Sequence, residues 1–197
     1  MVADARLAIE RRGEPEGPPA EVPQVALPGL GQRPAAVLCA LFDGADGAEV
    51  VLTRRSSRLR SHTGQVSFPG GRLDPGETAV HAALREADEE VGLDPTSVDV
   101  FGRLTTVCTA VNPAPIVPFV GSLPGRPVLR PNPAEVERAF AVSLAELSDP
   151  EVYREEVWTF PDGAERPMHF FELDGDTVWG ATARMLRELL DVVLIGS

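Results

Sequence analysis

The 197-residue chain is 43% hydrophobic with a net charge of −12, which fits one globular domain with a sizeable core. The acidic balance argues against duplex nucleic acid or an anionic membrane as partner, since both require positive surface. No apolar run approaches ~18 residues and no signal-peptide core opens the chain, so a cytoplasmic location is expected.

In chain order, Ala3 to Arg12 reads as a short helix, followed by a lead crowded with proline and glycine from Gly13 to Pro34. The organisation expected is thus a lead over residues 1–34 and a single domain over 35–197. Ala35 to Phe42 and Glu49 to Thr53 read as apolar strands joined by the turn Asp43-Gly44-Ala45-Asp46-Gly47. Arg54, Arg55, Arg58 and Arg60 then place four guanidinium groups within seven residues of an acidic chain. Such a local reversal of sign attracts polyphosphate, which arginine grips in bidentate fashion, although a solvated turn carrying ordinary surface arginines would look the same.

The run GRLDPGETAVHAALREADEEVGL, Gly71 to Leu93, is the most informative. Gly70-Gly71, Pro75 and Gly76 read as loop, a helix is expected from about Thr78, and Gly92 should stop it. On a helical wheel with Glu86 at zero, Glu90 falls at about 40° and Glu89 at about 300°, so the three carboxylates share one face. Val80, Leu84, Ala87 and Val91, between about 100° and 160°, form an apolar stripe that should seat the helix. Ala79, Ala82 and Ala83 surround the glutamates and leave room for a ligand or for close backbone packing. Arg85, one turn before Glu89, can hold that carboxylate's rotamer.

Clustered carboxylates repel and raise one another's pKa, and a hard cation offsets the repulsion. All-oxygen ligation suits magnesium, with manganese as substitute. No histidine pair has ligand spacing, which counts against zinc. His62 in its polar turn reads as a surface residue. Cys39 and Cys108 read as free thiols.

Further along, Val98 to Thr106 and Ile116 to Val120 read as strands with a loop, Cys108 to Pro115, between them. Asn132 to Glu137 leads into the apolar run Ala139 to Leu144, so Glu135 and Glu137 either begin a helix or flank a strand. Alternation at Val157 to Phe160 and Met168 to Glu172 suggests a hairpin across Pro161-Asp162-Gly163. The amphipathic run from Val178 through Val193 should pack on the sheet as the last helix. No internal repeat or second domain is visible.

Residues 71–93 match every specified position of the signature of the Nudix hydrolases, which they resemble. That resemblance implies an α/β fold, an α/β/α sandwich with a mixed sheet and a loop-helix-loop metal site, and hydrolysis of nucleoside diphosphates linked to another moiety. It implies Glu86 and Glu90 as metal ligands, Glu89 as third ligand or water-activating base, Glu77 as support for the loop and Arg85 as orienter of the glutamates. In this family a later acidic residue often reaches the metal, and Glu135 is the candidate here, with Glu137 second.

Upstream, Val51 to Gly71 looks like the pattern of the coenzyme A pyrophosphatase subgroup, with Arg55, Ser56, Arg60, Gly64 and Phe68-Pro69-Gly70-Gly71 in register and Val51 as the one departure. This implies Arg55, Arg60, Gly64, Phe68, Gly70 and Gly71 as substrate-binding positions. The expectation is a Mg2+-dependent (or Mn2+-dependent) enzyme cleaving coenzyme A or its thioesters to 3′,5′-ADP and 4′-phosphopantetheine or its acyl form. A Nudix enzyme for ADP-ribose, NADH or nucleoside triphosphates, and a non-catalytic nucleotide-binding module, are the alternatives. A homo-oligomer is compatible with the sequence.

Overall fold

The computed structural model describes residues 1–13, 33–57, 64–108, 114–160 and 163–195. The main sheet holds β1 (Ala35–Gly44), β2 (Gly47–Arg55), β3 (Val66–Ser67), β4 (Gly70–Arg72), β5 (Asp99–Arg103), β6 (Ile116–Ser122) and β7 (Val136–Ser143). Its path runs β3-β2-β1-β6-β5, with β4 added to β1 and β7 to β2. β1 and β6 are parallel and the other pairs antiparallel, so the sheet is mixed. A second antiparallel sheet follows, β8 (Tyr153–Thr159), β9 (Glu165–Leu173) and β10 (Asp176–Trp179).

Helix α2 (Ala79–Val91) covers one face of the main sheet. Its apolar layer includes Leu38, Phe42 and Val51 from the sheet and Ala79, Ala82, Ala83 and Val91 from the helix. On the other face lie α1 (Val2–Arg12) and α4 (Gly180–Ile195), around Leu41, Val50, Leu52, Phe68, Leu186 and Leu189. A short helix α3 (Leu144–Leu147) follows β7. The result is the expected α/β/α sandwich with a mixed sheet. Among the described residues no helix is long and apolar enough to cross a membrane.

Strand alternation explains the two layers. Val50 and Leu52 face the α1/α4 side and Val51 faces α2, as the two-residue period requires. The pairing of β1 then opens a gap that the site uses. Its C-terminal half pairs with β2 (Leu41 with Val50), whereas its N-terminal half pairs with β4 (Ala36 with Gly71). β1 and β2 therefore splay, and the segment Val66–Arg72 wedges between them, with Leu38 N–H donating to the Pro69 carbonyl at 2.8 Å.

Four expectations are corrected. Gly70–Arg72, read as loop, is a strand, because the splayed β1 offers it a ladder that glycine's bare backbone can approach. Val178 and Trp179 belong to β10, paired with Phe171 and Phe170, and α4 starts only at Gly180; β-branched and aromatic residues fit the pleat better than a first helical turn. The seat of α2 is wider than the predicted stripe: Ala87 and Val91 are buried as expected and Val80 and Leu84 pack partly buried beside them, but Ala79, Ala82 and Ala83 are buried at 0–1% exposure as well. Small side chains let this helix approach β1 and β4 closely. The Val98–Thr106 strand is shorter, Asp99–Arg103, after a 3-10 turn at Pro95–Ser97. The predicted hairpin forms, with Thr159 opposite Glu165; Pro161 and Asp162 lie outside the described residues.

Close seating generates a prediction. Ala83→Leu should overpack the α2–sheet contact and lower stability by about 1–3 kcal/mol in urea unfolding. His81→Leu, on the exposed side of the same helix, should stay within about 0.5 kcal/mol.

Candidate metal centre and active site

Helix α2 is started by Thr78, whose hydroxyl accepts the His81 N–H at 3.4 Å, and stopped by Gly92 at φ 70°, where a left-handed residue is needed. Because the alanine face is the buried one, Glu90, within its arc, goes inward with it: the residue is 3% exposed. Glu86 sits at the rim, half-buried. Glu89 turns outward, its side chain 56% exposed.

Glu86, Glu90 and Glu135 bring one carboxylate oxygen each to within 4.8 Å of one another. Glu135 arrives from the segment before β7, where its carbonyl accepts the Ser56 N–H at 2.8 Å and Asn132 N–H bonds the Glu90 carbonyl at 2.8 Å. Glu135 thus flanks a strand. Glu137, the second candidate, is not in this group, and neither is Glu89.

Backbone crowding requires glycine at 70, and glycine at 71 leaves the Glu86 carboxylate its place. A Cβ on Gly71 would lie 2.4 Å from the Glu86 carboxylate, and one on Gly70 would lie 2.4 Å from the Ala36 carbonyl oxygen. Gly70 N–H donates to Glu90 Oε2 at 3.1 Å. Phe68, grouped with the substrate-binding positions, buries its ring in the core at 1% exposure; its side chain serves packing, and the site receives only the backbone that follows it.

Arg85 organises the rim. Its Nε and Nη2 grip both oxygens of Glu77 at 2.9 Å, Nη1 reaches Glu86 and Glu89 at 3.0 Å, and Nη2 also meets the Arg72 carbonyl at 3.2 Å. Glu77 further accepts the Asp74 N–H at 2.9 Å, closing the loop before the helix. The Arg85 guanidinium holds the Glu77 carboxyl below its ordinary range. One arginine therefore fastens the loop and sets two glutamates.

Burial pushes Glu90 up to about 7, against the Gly70 N–H and Arg55, which lower it. Glu86 is raised too, chiefly by burial, with Arg85 opposing and Glu89 and Glu135 adding repulsion. Hard oxygen donors, crowded and hard to ionise together, fit a divalent cation such as magnesium or manganese. Among the described residues no histidine or cysteine joins the group.

The arginine-rich stretch divides across the sheet. Arg55 points to the α2 face, with Nη1 3.9 Å from Glu90 Oε1. Its Nε is buried with no hydrogen-bond partner among the described residues. Arg54 points to the opposite face, toward Asp176. Gly64 N–H donates to the Arg55 carbonyl at 3.2 Å, so this predicted position closes the turn after β2. Arg58, Arg60 and His62 lie outside the described residues. Sequence reasoning missed Asp176 and Arg138, which meet Arg54 on the far side of the sheet; nothing in their local patterns marks them.

Cation binding should be linked to protons. Glu90 titrates above its unfolded value, so its contribution to stability is full below about pH 4.5 and is lost as pH rises through about 7, and Glu86, also raised, acts in the same direction. Metal-free protein should melt lower at pH 8 than at pH 6. Saturating magnesium should shrink or reverse that difference, and calorimetry at pH 6.5 in buffers of different ionisation enthalpy should detect proton release on binding. Equal melting at both pH values without metal would contradict the burial assigned to Glu90.

Comparison with known proteins agrees with this geometry. The family model of the NUDIX domain matches residues 32–161. The chain is 40% identical over 173 residues to Nudix hydrolase 22, chloroplastic, of Arabidopsis thaliana, covering 82% of this chain and 55% of that protein. It is 37% identical over 169 residues to the uncharacterized Nudix hydrolase NudL of an Escherichia coli strain, covering 85% and 86%. It thus spans about half the length of the plant relative and most of the bacterial one. A MutT/nudix family protein from Enterococcus faecalis shares the fold, with TM-score 0.53 at 14% identity, covering 82% of this chain and 61% of that one. With the family model matching well over half of its length, and with the box glutamates gathered against the glycine segment, the chain belongs to the Nudix hydrolase family.

Proposed function

We propose that the protein is a divalent-metal-dependent pyrophosphohydrolase acting on coenzyme A or its thioesters, releasing 3′,5′-ADP and 4′-phosphopantetheine or its acyl derivative. The observation that carries this reading is the juxtaposition of the Glu86–Glu90–Glu135 cluster with Arg55, whose buried Nε has no acceptor within the described protein. Anionic and cationic groups thus lie side by side, as a metal-chelated diphosphate requires. The coenzyme A assignment rests on the resemblance of residues 51–71 to the subgroup pattern.

In this scheme Glu86, Glu90 and Glu135 hold magnesium or manganese. Bound there, the cation supplies Lewis acidity toward the phosphoryl oxygens. Arg55 takes a phosphate oxygen and stabilises the charge that grows on the leaving phosphate. Gly70 and Gly71 keep the backbone low enough for the diphosphate to approach. Glu89, facing solvent at the rim and fixed by Arg85, accepts the proton from the attacking water. Water adds to one phosphorus as the anhydride P–O bond breaks, and the departing phosphate keeps the bonding electron pair. Arg60 is assigned to substrate through the subgroup pattern alone.

Product analysis with magnesium on coenzyme A, 3′-dephospho-coenzyme A, ADP-ribose and NADH tests the substrate. Predominant formation of 3′,5′-ADP from coenzyme A is expected; preference for another dinucleotide would remove the coenzyme A assignment and leave the metal chemistry. Glu90→Gln should lower kcat by about 10²–10³ while the far-ultraviolet circular dichroism is unchanged. Arg55→Ala should cut kcat/KM for coenzyme A about ten- to hundredfold. Near-normal turnover by Glu90→Gln would sink its role as ligand.

A further inference from the structure

On the face of the sheet turned away from the carboxylates, Arg54 of β2 and Arg138 of β7 stand directly opposite each other in the ladder. Like charges in that relation repel. Between them lies Asp176, 9% exposed, ion-paired with Arg54 Nη1 at 3.1 Å and accepting a hydrogen bond from Arg138 Nη2 at 2.6 Å. Asp176 comes from the small sheet, at the first position of β10, just past the Asp174-Gly175 turn where Gly175 adopts φ 77°. It therefore bridges two cations on adjacent strands and ties the second sheet to the first.

What that bridge fastens is the irregular end of β2. The β2–β7 register shifts between Arg54 and Arg55, where Arg54 pairs with Arg138 but Arg55 with Val136. Immediately past that bulge, Arg55 N–H donates to the Gln65 carbonyl at 3.0 Å, and Ser56 N–H holds the Glu135 carbonyl. A bulge re-aims side chains and weakens the local ladder. Here the extra residue is Glu137 of β7, strand alternation sends Arg54 to one face of β2 and Arg55 to the other, and Asp176 clamps the side that faces away from the cluster.

We propose that Asp176 is a positioning residue for substrate binding. By bridging Arg54 and Arg138 from behind the sheet, it fixes the end of β2 against the bulge of β7 and with it the stance of Arg55 beside Glu90. The inference rests on the proposed reading of Arg55 as a diphosphate-binding residue. Without the bridge the two arginines repel, the strand end loosens, and the Arg55 guanidinium loses its aim.

The test uses the full chain, with Asp176→Asn and the double variant Asp176→Asn/Arg138→Gln, which also removes the like-charge pair. Two readouts are needed: kcat and KM for coenzyme A with magnesium, and calorimetric affinity for methylenediphosphonate, a non-hydrolysable probe. Asp176→Asn should raise KM about ten- to hundredfold and weaken methylenediphosphonate to a similar degree. kcat should fall as well, because Arg55 also stabilises the leaving phosphate, Mn2+ affinity by paramagnetic resonance should hold, and the double variant should recover most of the loss. A purely structural role would lower the melting temperature and the active fraction but leave KM and probe affinity at wild-type values, and that result, or a double variant no better than the single one, overturns the proposal. If wild-type protein binds the probe yet cleaves no dinucleotide, the proposed function fails and the probe affinities alone decide the role of Asp176. If wild-type protein does not bind the probe, both fall together.

Discussion

The burial of Glu90 is the constraint on which the rest of the site depends. A carboxylate on the seated face of a helix costs stability unless its charge is neutralised or its lone pairs are filled. Among the described residues one backbone donor, Gly70 N–H, meets it within hydrogen-bond range, and Arg55 Nη1 stands 3.9 Å off. The remaining compensation is left to whatever binds. Glu86 and Glu135, brought to the same point, make the local field more negative still. A fold that concentrates anionic oxygen in this way has stored a binding energy that a divalent cation can release.

Several features of the scaffold follow from keeping that carboxylate in place. The alanine face of α2 lets the helix come near enough for Glu90 to reach the wedge segment between β1 and β2. The splay of those strands makes room for the wedge, and glycine at 70 and 71 removes the Cβ atoms that would strike Ala36 and Glu86. Arg85 works from the outside. By holding Glu77 with two hydrogen bonds and Glu86 and Glu89 with one each, it spends its cationic charge on the rim and leaves the inner carboxylates undercompensated.

Most of this centre was legible in the sequence because local rules govern it. Helix periodicity put Glu86, Glu89 and Glu90 on one face, Gly92 marked the stop, and Arg85 lay at a spacing from which it meets Glu89. Periodicity alone could not separate Glu90, inside, from Glu89, outside. That depended on how far the buried arc runs past the stripe of Val80, Leu84, Ala87 and Val91: it takes in Ala79, Ala82 and Ala83 too, and Glu90 goes inward with them. Glu135 was reachable only through family resemblance, since its distance from the box in sequence hides its nearness in space. Asp176 and Arg138 were invisible for the same reason: an ion bridge between two sheets leaves no periodic trace. The strand at Gly70–Arg72 was missed because glycine normally weakens a strand, and here the close approach of another backbone makes glycine the residue that fits.

The account stands on three carboxylates, two from α2 and one from the approach to β7, sharing one cation. Anomalous diffraction from crystals grown with manganese tests this most directly. The account predicts a peak within ligand distance, about 2.0–2.3 Å, of oxygens from Glu86, Glu90 and Glu135. A peak held by Glu89 and Glu86 at the rim with Glu90 and Glu135 uninvolved, or no peak near α2 at saturating manganese, would contradict it.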